Sequence, residues 1–315
     1  MRIRREPPVQ IKTRAQLDLM RAAGLVVARA LEATASAVGP GVSTADLDEI
    51  AEQVIRGAGA VPSFKGYHGF PATICTSVND EIVHGIPSAD RRLEAGDLIS
   101  IDCGAIVDGW HGDAAITVGV GAIRDELARL IEACETALWH GLAVARPGRR
   151  LTDISHAVEV SARSSGPYGI VEEYVGHGIG TEMHMDPPVP NYGSAGRGPV
   201  LAAGMALAVE PMLVLGRRHA RVLDDGWTVV TADGSCAAHF EHTVAITEAG
   251  PWVLTAADGG RSGLASVGGE QAARLRPAAA GRTAWPAGPA ATPGTAGAVP
   301  GQAAGQQPAA ASPNR

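Results

Sequence analysis

Residues 98–113 read Leu-Ile-Ser-Ile-Asp-Cys-Gly-Ala-Ile-Val-Asp-Gly-Trp-His-Gly-Asp, and this stretch constrains the fold more than any other. Asp108-Gly109 between two apolar runs signals a two-residue β-hairpin. With those residues as the turn, Val107 faces Trp110 and Gly104 faces Asp113. Asp102 then lies on the same face as Asp113, diagonal to it and about 7–8 Å away. That separation is too long for a hydrogen bond but suits two carboxylates gripping cations between them. Aspartates in a hairpin ordinarily point to solvent, yet Asp102 stands between Ile101 and Cys103 in an apolar strand, where aspartate is disfavoured. Two like charges on one partly buried face repel unless a cation or proton separates them.

Further ligands are available. Gly176-His177-Gly178-Ile179-Gly180 sets an imidazole among glycines, where backbone can approach closely. Val209-Glu210-Pro211-Met212 ends the most apolar run with a carboxylate, and Phe240-Glu241-His242-Thr243 leads another into a strand-like segment. Each alone has an ordinary explanation as a cap, a surface charge or a loop histidine. Together, Asp102, Asp113, His177, Glu210 and Glu241 make a less accidental set. The cysteines, Cys75, Cys103, Cys134 and Cys236, form no C-x-x-C pair, so a thiolate zinc site is not expected. An oxygen-rich set with one nitrogen suits paired Mn, Fe, Co or Zn ions about 3.5–4 Å apart, as in phosphatases, nucleases and aminopeptidases.

Helix and strand signals alternate around these motifs. Thr13 and Gln16 form a capping-box pattern ahead of Leu17, Met20, Ala23, Val27 and Leu31. Ser43 or Thr44 caps a second helix running to about Arg56. Residues 72–120 are strand-rich, a third helix spans about 124–144, Thr152 caps a fourth, and strand-like sequence returns from Ile170 to Ile246. Two successive blocks of helices and strands predict an α+β fold of two related halves. The folded unit is expected over residues 10–256, after a flexible N-terminus (1–9). Residues 257–315, rich in Ala, Gly and Pro with few large apolar side chains, are expected as a disordered tail. The formal charge of −7 argues against a nucleic-acid-coating protein. No secretory signal or apolar run of about 20 residues is present, so a cytoplasmic protein with no membrane contact is expected.

Taken together, Ile82-Val83-His84-Gly85-Ile86-Pro87, Ile101-Asp102, His111-Gly112-Asp113, Gly176–Gly180, Glu210-Pro211-Met212 and Phe240-Glu241-His242-Thr243 resemble the type I methionine aminopeptidases. Gly66-Tyr67-His68-Gly69-Phe70-Pro71 and Asp225-Gly226-Trp227-Thr228 add to the match. The resemblance implies a pita-bread fold, two pseudo-symmetric α/β halves with a curved antiparallel sheet around a dinuclear site. It implies a monomer that removes the initiator methionine from nascent polypeptides with a small second residue, with transient ribosome contact. By position, Asp102 resembles the carboxylate confined to one metal, Asp113 and Glu241 the bridging pair, and His177 and Glu210 the ligands of the other ion. Glu210 also resembles the proton acceptor for a metal-bridging water or hydroxide. His84 and His184 match the two non-ligand histidines beside the scissile amide. Tyr67, Phe70, Cys75, Met183 and Trp227 are the candidates for the methionine pocket.

Some positions depart from the familiar pattern. Phe64 and Met183 stand where well-known members have cysteine and phenylalanine, Phe70 replaces a tyrosine, and Met185 stands where an acidic residue is common. These bear on the pocket and leave every ligand in place. His140, His156, His219 and His239 are expected in surface or packing roles, and His242 as a group that orients ligands. The rival readings are an Xaa-Pro exopeptidase, a non-catalytic pita-bread binding protein and a two-metal phosphoesterase.

Overall fold

The computed structural model describes residues 9–268. Helix α1 (Arg14–Ala37) starts at the expected capping box: the Thr13 hydroxyl accepts from Gln16 N–H and the Gln16 side chain accepts from Thr13 N–H. Two of the helix's orphan donors are thereby satisfied. Leu17, Met20, Ala23, Val27 and Leu31 form its buried stripe. Ser43 and Asp46 make the same reciprocal pair at the start of α2 (Thr44–Gly57). Helices α3 (Asp125–Ala143) and α4 (Leu151–Ser165) follow. The cap of α4 differs from expectation. Asp153 accepts from Arg150 N–H, whereas Thr152 lies inside the first turn and its hydroxyl exchanges hydrogen bonds with the Arg197 backbone.

The first strand block comprises β1 (Val61–Pro62), β2 (Ile74–Val78), β3 (Glu81–Val83), β4 (Leu98–Val107) and β5 (Trp110–Gly119), with a 3-10 turn at Tyr67–Gly69. The second contains β6 (Gly169–Ile170), β7 (Gly176–Gly178), β8 (Met185–Val189), β9 (Ala206–Val209) and β10 (Met212–Val214). It continues through β11 (Ala220–Val222), β12 (Val229–Thr231), β13 (Ala237–His239), β14 (Glu241–Thr247) and β15 (Gly250–Val253). The main sheet is antiparallel, in the order β1-β4-β5-β14-β9-β7-β8, with β2 also on β4 and β15 also on β14. Both expected pairings across the hairpin occur, Val107 with Trp110 and Gly104 with Asp113. Positive φ at Asp108 (48°) and Gly109 (80°) forms the turn, as two-residue hairpins require.

Two apolar cores lie on one face of this sheet. One packs α1 and α2 through Val27, Leu47 and Ile55 against Ile74, Ile99 and Ile101. The other packs α3 and α4 through Leu130, Leu138 and Val158 against Leu207, Val209 and Val244. Ile116 on β5 touches both. This is the two-halved α+β arrangement read from element order. Helix α1 crosses β5 so closely that a Cβ on Gly112 would strike the Gly24 backbone.

The expected boundary at residue 256 falls short. Arg21 on α1 donates to the carbonyls of Val253, Leu254, Ala256 and Ala257. The chain then forms a short helix, α5 (Arg261–Ser266), which packs on α3 with Gly263 against the Trp139 indole. Residues 269–315 of the expected tail and 1–8 of the expected flexible start lie outside the described residues. No helix among the described residues is long and apolar enough to cross a membrane.

Candidate metal centre

Consecutive strands of the main sheet each bring one candidate ligand to the same face. Asp102 comes from β4, Asp113 from β5, Glu241 from the first residue of β14, Glu210 from just beyond β9 and His177 from the middle of β7. Residues directly opposite each other share a face of the pleat. Ala115 lies opposite both Asp102 and Glu241, and Ala208 opposite both His177 and Thr243. Small side chains thus floor the space between the ligands.

Donor atoms of Asp113, His177 and Glu241 all lie within 4.8 Å of one another. Glu210 Oε1 is 3.5 Å from His177 Nε2. His177 Nδ1 sits 2.9 Å from the Gly178 carbonyl. Donating there leaves Nε2 as the acceptor facing the carboxylates, the tautomer a metal ligand needs. Glycine fits the strand around it because a Cβ on Gly176 would meet the Ala208 carbonyl and one on Gly178 the Asp186 carbonyl.

The electrostatics test whether cations fit here. Asp102 Oδ1, Asp113 Oδ1 and Glu241 Oε1 are buried with no hydrogen-bond partner. Burial pushes Asp102 up to about 7. Burial, then the charges of Asp102 and Glu210, holds Asp113 well above the carboxylate range. Burial, then Asp102, does the same to Glu210. Glu241 is raised by burial and then by Asp113, Glu210 and Asp102. Buried like charges with orphaned oxygens are costly alone, and divalent cations both neutralise and coordinate them. His177 is pushed down to about 3 by burial and then by His184, so it stays neutral and ligand-competent. The donor set fits divalent metal.

Two further histidines border the cluster. The His184 ring lies 4.4 Å from that of His177 at 74°, and its Nδ1 is 2.9 Å from the Tyr67 hydroxyl. His84 adopts φ 62° just after β3, with its ring 5.6 Å from Tyr174 and 6.4 Å from Trp227. Burial first, then His184 for one and His68 for the other, lowers His84 and His184 to about 4 each. No linear spacing encodes the Tyr67–His184 bond, which joins residues 117 positions apart.

Phe70, Cys75 and Met183 are buried together with Phe64 and Ala72, and Tyr67, Ile86 and Trp227 pack against them. All five expected pocket residues therefore gather in one apolar cluster. Phe70 and Trp227 meet edge to face at 5.1 Å. Cys75 on β2 pairs directly with Asp102 on β4, so this cluster and the carboxylates share a wall.

One histidine behaves differently from expectation, and a second is packed as expected but stands beside a candidate ligand. His242 faces away from the cluster, with Nδ1 2.8 Å from Thr255 Oγ1 and its ring 5.0 Å from Trp139. His239 is buried at 1% exposure, and its Nε2 lies 3.8 Å from Glu210 Oε2.

Residues 18–248 match the model of metallopeptidase family M24. The chain is 57% identical to methionine aminopeptidase 1 of Mycobacterium tuberculosis, over 81% of this chain and 97% of that protein. It is 51% identical to methionine aminopeptidase 1 of Bacillus subtilis, over 78% of this chain and 98% of that one. The crystal structure of methionine aminopeptidase from Thermotoga maritima superposes with a TM-score of 0.77 at 41% identity, covering 79% of this chain and 99% of that one. Prolidase from Pyrococcus furiosus shares the fold at a TM-score of 0.63 and 24% identity, over 78% of this chain and 65% of that one. The curved antiparallel sheet with its two helical halves is the pita-bread fold. The chain belongs to metallopeptidase family M24, among its methionine aminopeptidases.

Proposed function

We infer that this chain is a metal-dependent aminopeptidase that removes N-terminal methionine from new proteins and peptides whose second residue is small. One observation carries the reading: the apolar cluster of Phe70, Cys75, Met183, Tyr67 and Trp227 shares the Cys75–Asp102 wall with the carboxylates. A methionine seated there places its amine and carbonyl at the ligand face.

Asp102, Asp113, His177, Glu210 and Glu241 would hold two divalent ions, with Co, Mn, Fe and Zn all suited to the donors. When bound, such ions supply a Lewis acid for the carbonyl and an activated water. The protein's own groups do the rest. Carboxylate oxygens at this face attract the substrate's free ammonium, so a blocked N-terminus is a poor substrate. His84 and His184 reach the amide from the rim and donate to the oxygen that gains charge during attack. Glu210 accepts the proton released by the attacking water and passes it toward the leaving amine. Phe70, Met183, Tyr67, Cys75 and Trp227 hold the thioether side chain and exclude water.

Nascent chains in the cytoplasm, met by a monomer in transient contact with the ribosome, are the setting we propose. The free state of all four cysteines supports a reducing compartment. Comparing Met-Ala-Ser with an Ala-Pro peptide tests the substrate class. Hydrolysis of the first is expected, and exclusive cleavage of the second would overturn the assignment in favour of an Xaa-Pro exopeptidase.

A further inference from the structure

We propose that His239 is a positioning residue for Glu210, holding one carboxylate oxygen so that the other is presented to the metal centre. The inference rests on the metal-site reading above and adds a residue outside its ligand set. Glu210 lies between two imidazoles: Oε1 is 3.5 Å from His177 Nε2 and Oε2 is 3.8 Å from His239 Nε2. His177 belongs to the ligand cluster. His239 stands on the other side, at the end of β13.

His239 is fixed by its backbone. Its N–H donates to Thr117 Oγ1 at 2.9 Å, and the Thr117 hydroxyl donates back to the His239 carbonyl at 2.8 Å. It also pairs with Met212, two residues beyond Glu210. Histidine and glutamate are thus carried by paired segments. The Glu210 carbonyl is held in turn by the Asn191 side-chain amide at 3.0 Å.

His239 Nε2 is buried and has no hydrogen-bond partner. Glu210 Oε2 is the acidic oxygen within ion-pair reach of it. A buried nitrogen left unpaired is costly, and a carboxylate ligated through one oxygen has lone pairs free on the other. Both deficits vanish when Nε2–H donates to Oε2, a closure of less than an ångström from the present separation. A neutral imidazole carries one N–H, so this contact assigns the proton to Nε2. Partners of this kind fix the orientation of a metal-ligating carboxylate and raise its affinity for metal.

Calorimetric titration of the metal-stripped full-length chain with Mn2+ alone tests the assignment, with kcat and KM on Met-Ala-Ser as a second readout. His239→Leu keeps the volume and removes the donor. It is expected to weaken Mn2+ binding by about 10- to 100-fold and to lower kcat more than it raises KM. His239→Gln restores a side-chain N–H at similar reach and is expected to recover most of both losses. Circular dichroism and thermal melts identify variants that fail to fold. If His239→Leu fails to fold, the His239→Gln titration decides: near-wild-type binding supports the assignment, and a loss in this folded, donor-bearing variant overturns it. Wild-type Mn2+ affinity in folded His239→Leu overturns the proposal, as does equal weakening in both variants, which marks a packing role alone. Absence of saturable binding in the wild type removes the metal-site reading and this inference with it.

Discussion

Asp113 and Thr243 exchange two hydrogen bonds at the point where the sheet divides: Asp113 N–H donates to Thr243 Oγ1 at 3.0 Å, and that hydroxyl donates to the Asp113 carbonyl at 2.8 Å. Strand β14 pairs with β5 only through Glu241 and His242, and from Val244 onward the same strand pairs with β15. Thr243 spans the fork and keeps Asp113 beside Glu241. Thr243→Val leaves two buried backbone groups unpaired and is expected to destabilise the protein by about 1–3 kcal/mol. Thr243→Ser should retain most of the stability. Urea unfolding of the metal-free proteins measures both, and equal stability of Thr243→Val and wild type would contradict this role.

Removing a proposed ligand is expected to have opposite effects on activity and on metal-free stability. Asp113→Ala is expected to abolish turnover on Met-Ala-Ser with metal present. Asp113→Asn should also be inactive, yet more stable than wild type in chelator, because one of four buried, mutually repelling carboxyls has been neutralised. Near-normal turnover in either variant rules out Asp113 as a ligand.

The same repulsion has a pH signature in the metal-free protein. Asp102 is pushed from its ordinary 3.8 up to about 7 in the fold. The unfolded chain therefore loses this proton first as pH rises, and stability is lost across the window from about 4 to about 7. The buried histidines, shifted downward, change stability in the opposite direction over much of that range. Comparing wild type with Asp102→Asn subtracts them. The stability advantage of the variant should grow from pH 4 to pH 7 and then level off. A difference independent of pH would show that Asp102 is not held in this buried state.

Tyr67 orients His184 through its 2.9 Å hydrogen bond. Tyr67→Phe is expected to lower kcat about fivefold, the worth of one neutral hydrogen bond. In a His184→Ala background the same change should do little, since the two act as one unit. Additive losses in the double variant would separate their roles.

Pocket and metal centre should respond independently. Met183 is buried in the apolar cluster, and Met183→Ala is expected to cut kcat/KM for Met-Ala-Ser by about 10- to 100-fold. Mn2+ affinity should stay at the wild-type value. A fall in metal affinity of similar size would mean that the two regions are not separable.

What could be read from sequence was whatever local chemistry dictates. Asp108-Gly109 fixes the hairpin register, and the register fixes the face shared by Asp102 and Asp113. Thr13 and Ser43 announce their helices because a capping hydroxyl acts within one turn. Long-range relations left no such mark. Tyr67 meets His184 and Thr243 meets Asp113 only after distant strands assemble. His239 is buried, as a packing histidine is, and only the fold shows Glu210 opposite its ring. The misplaced boundary at residue 256 has the same origin. A tail poor in large apolar residues looks unfoldable by itself, but Arg21 on α1 gathers its first carbonyls and Trp139 on α3 receives Gly263.

The most direct test of a metal-dependent methionine aminopeptidase built on Asp102, Asp113, His177, Glu210 and Glu241 is methionine release from Met-Ala-Ser as metal is returned to the chelator-stripped protein. Activity should be absent in the stripped protein and rise to a plateau with added Mn2+ or Co2+, with N-acetylated Met-Ala-Ser left intact throughout. Turnover that persists without metal, or never returns with any divalent ion, would contradict it.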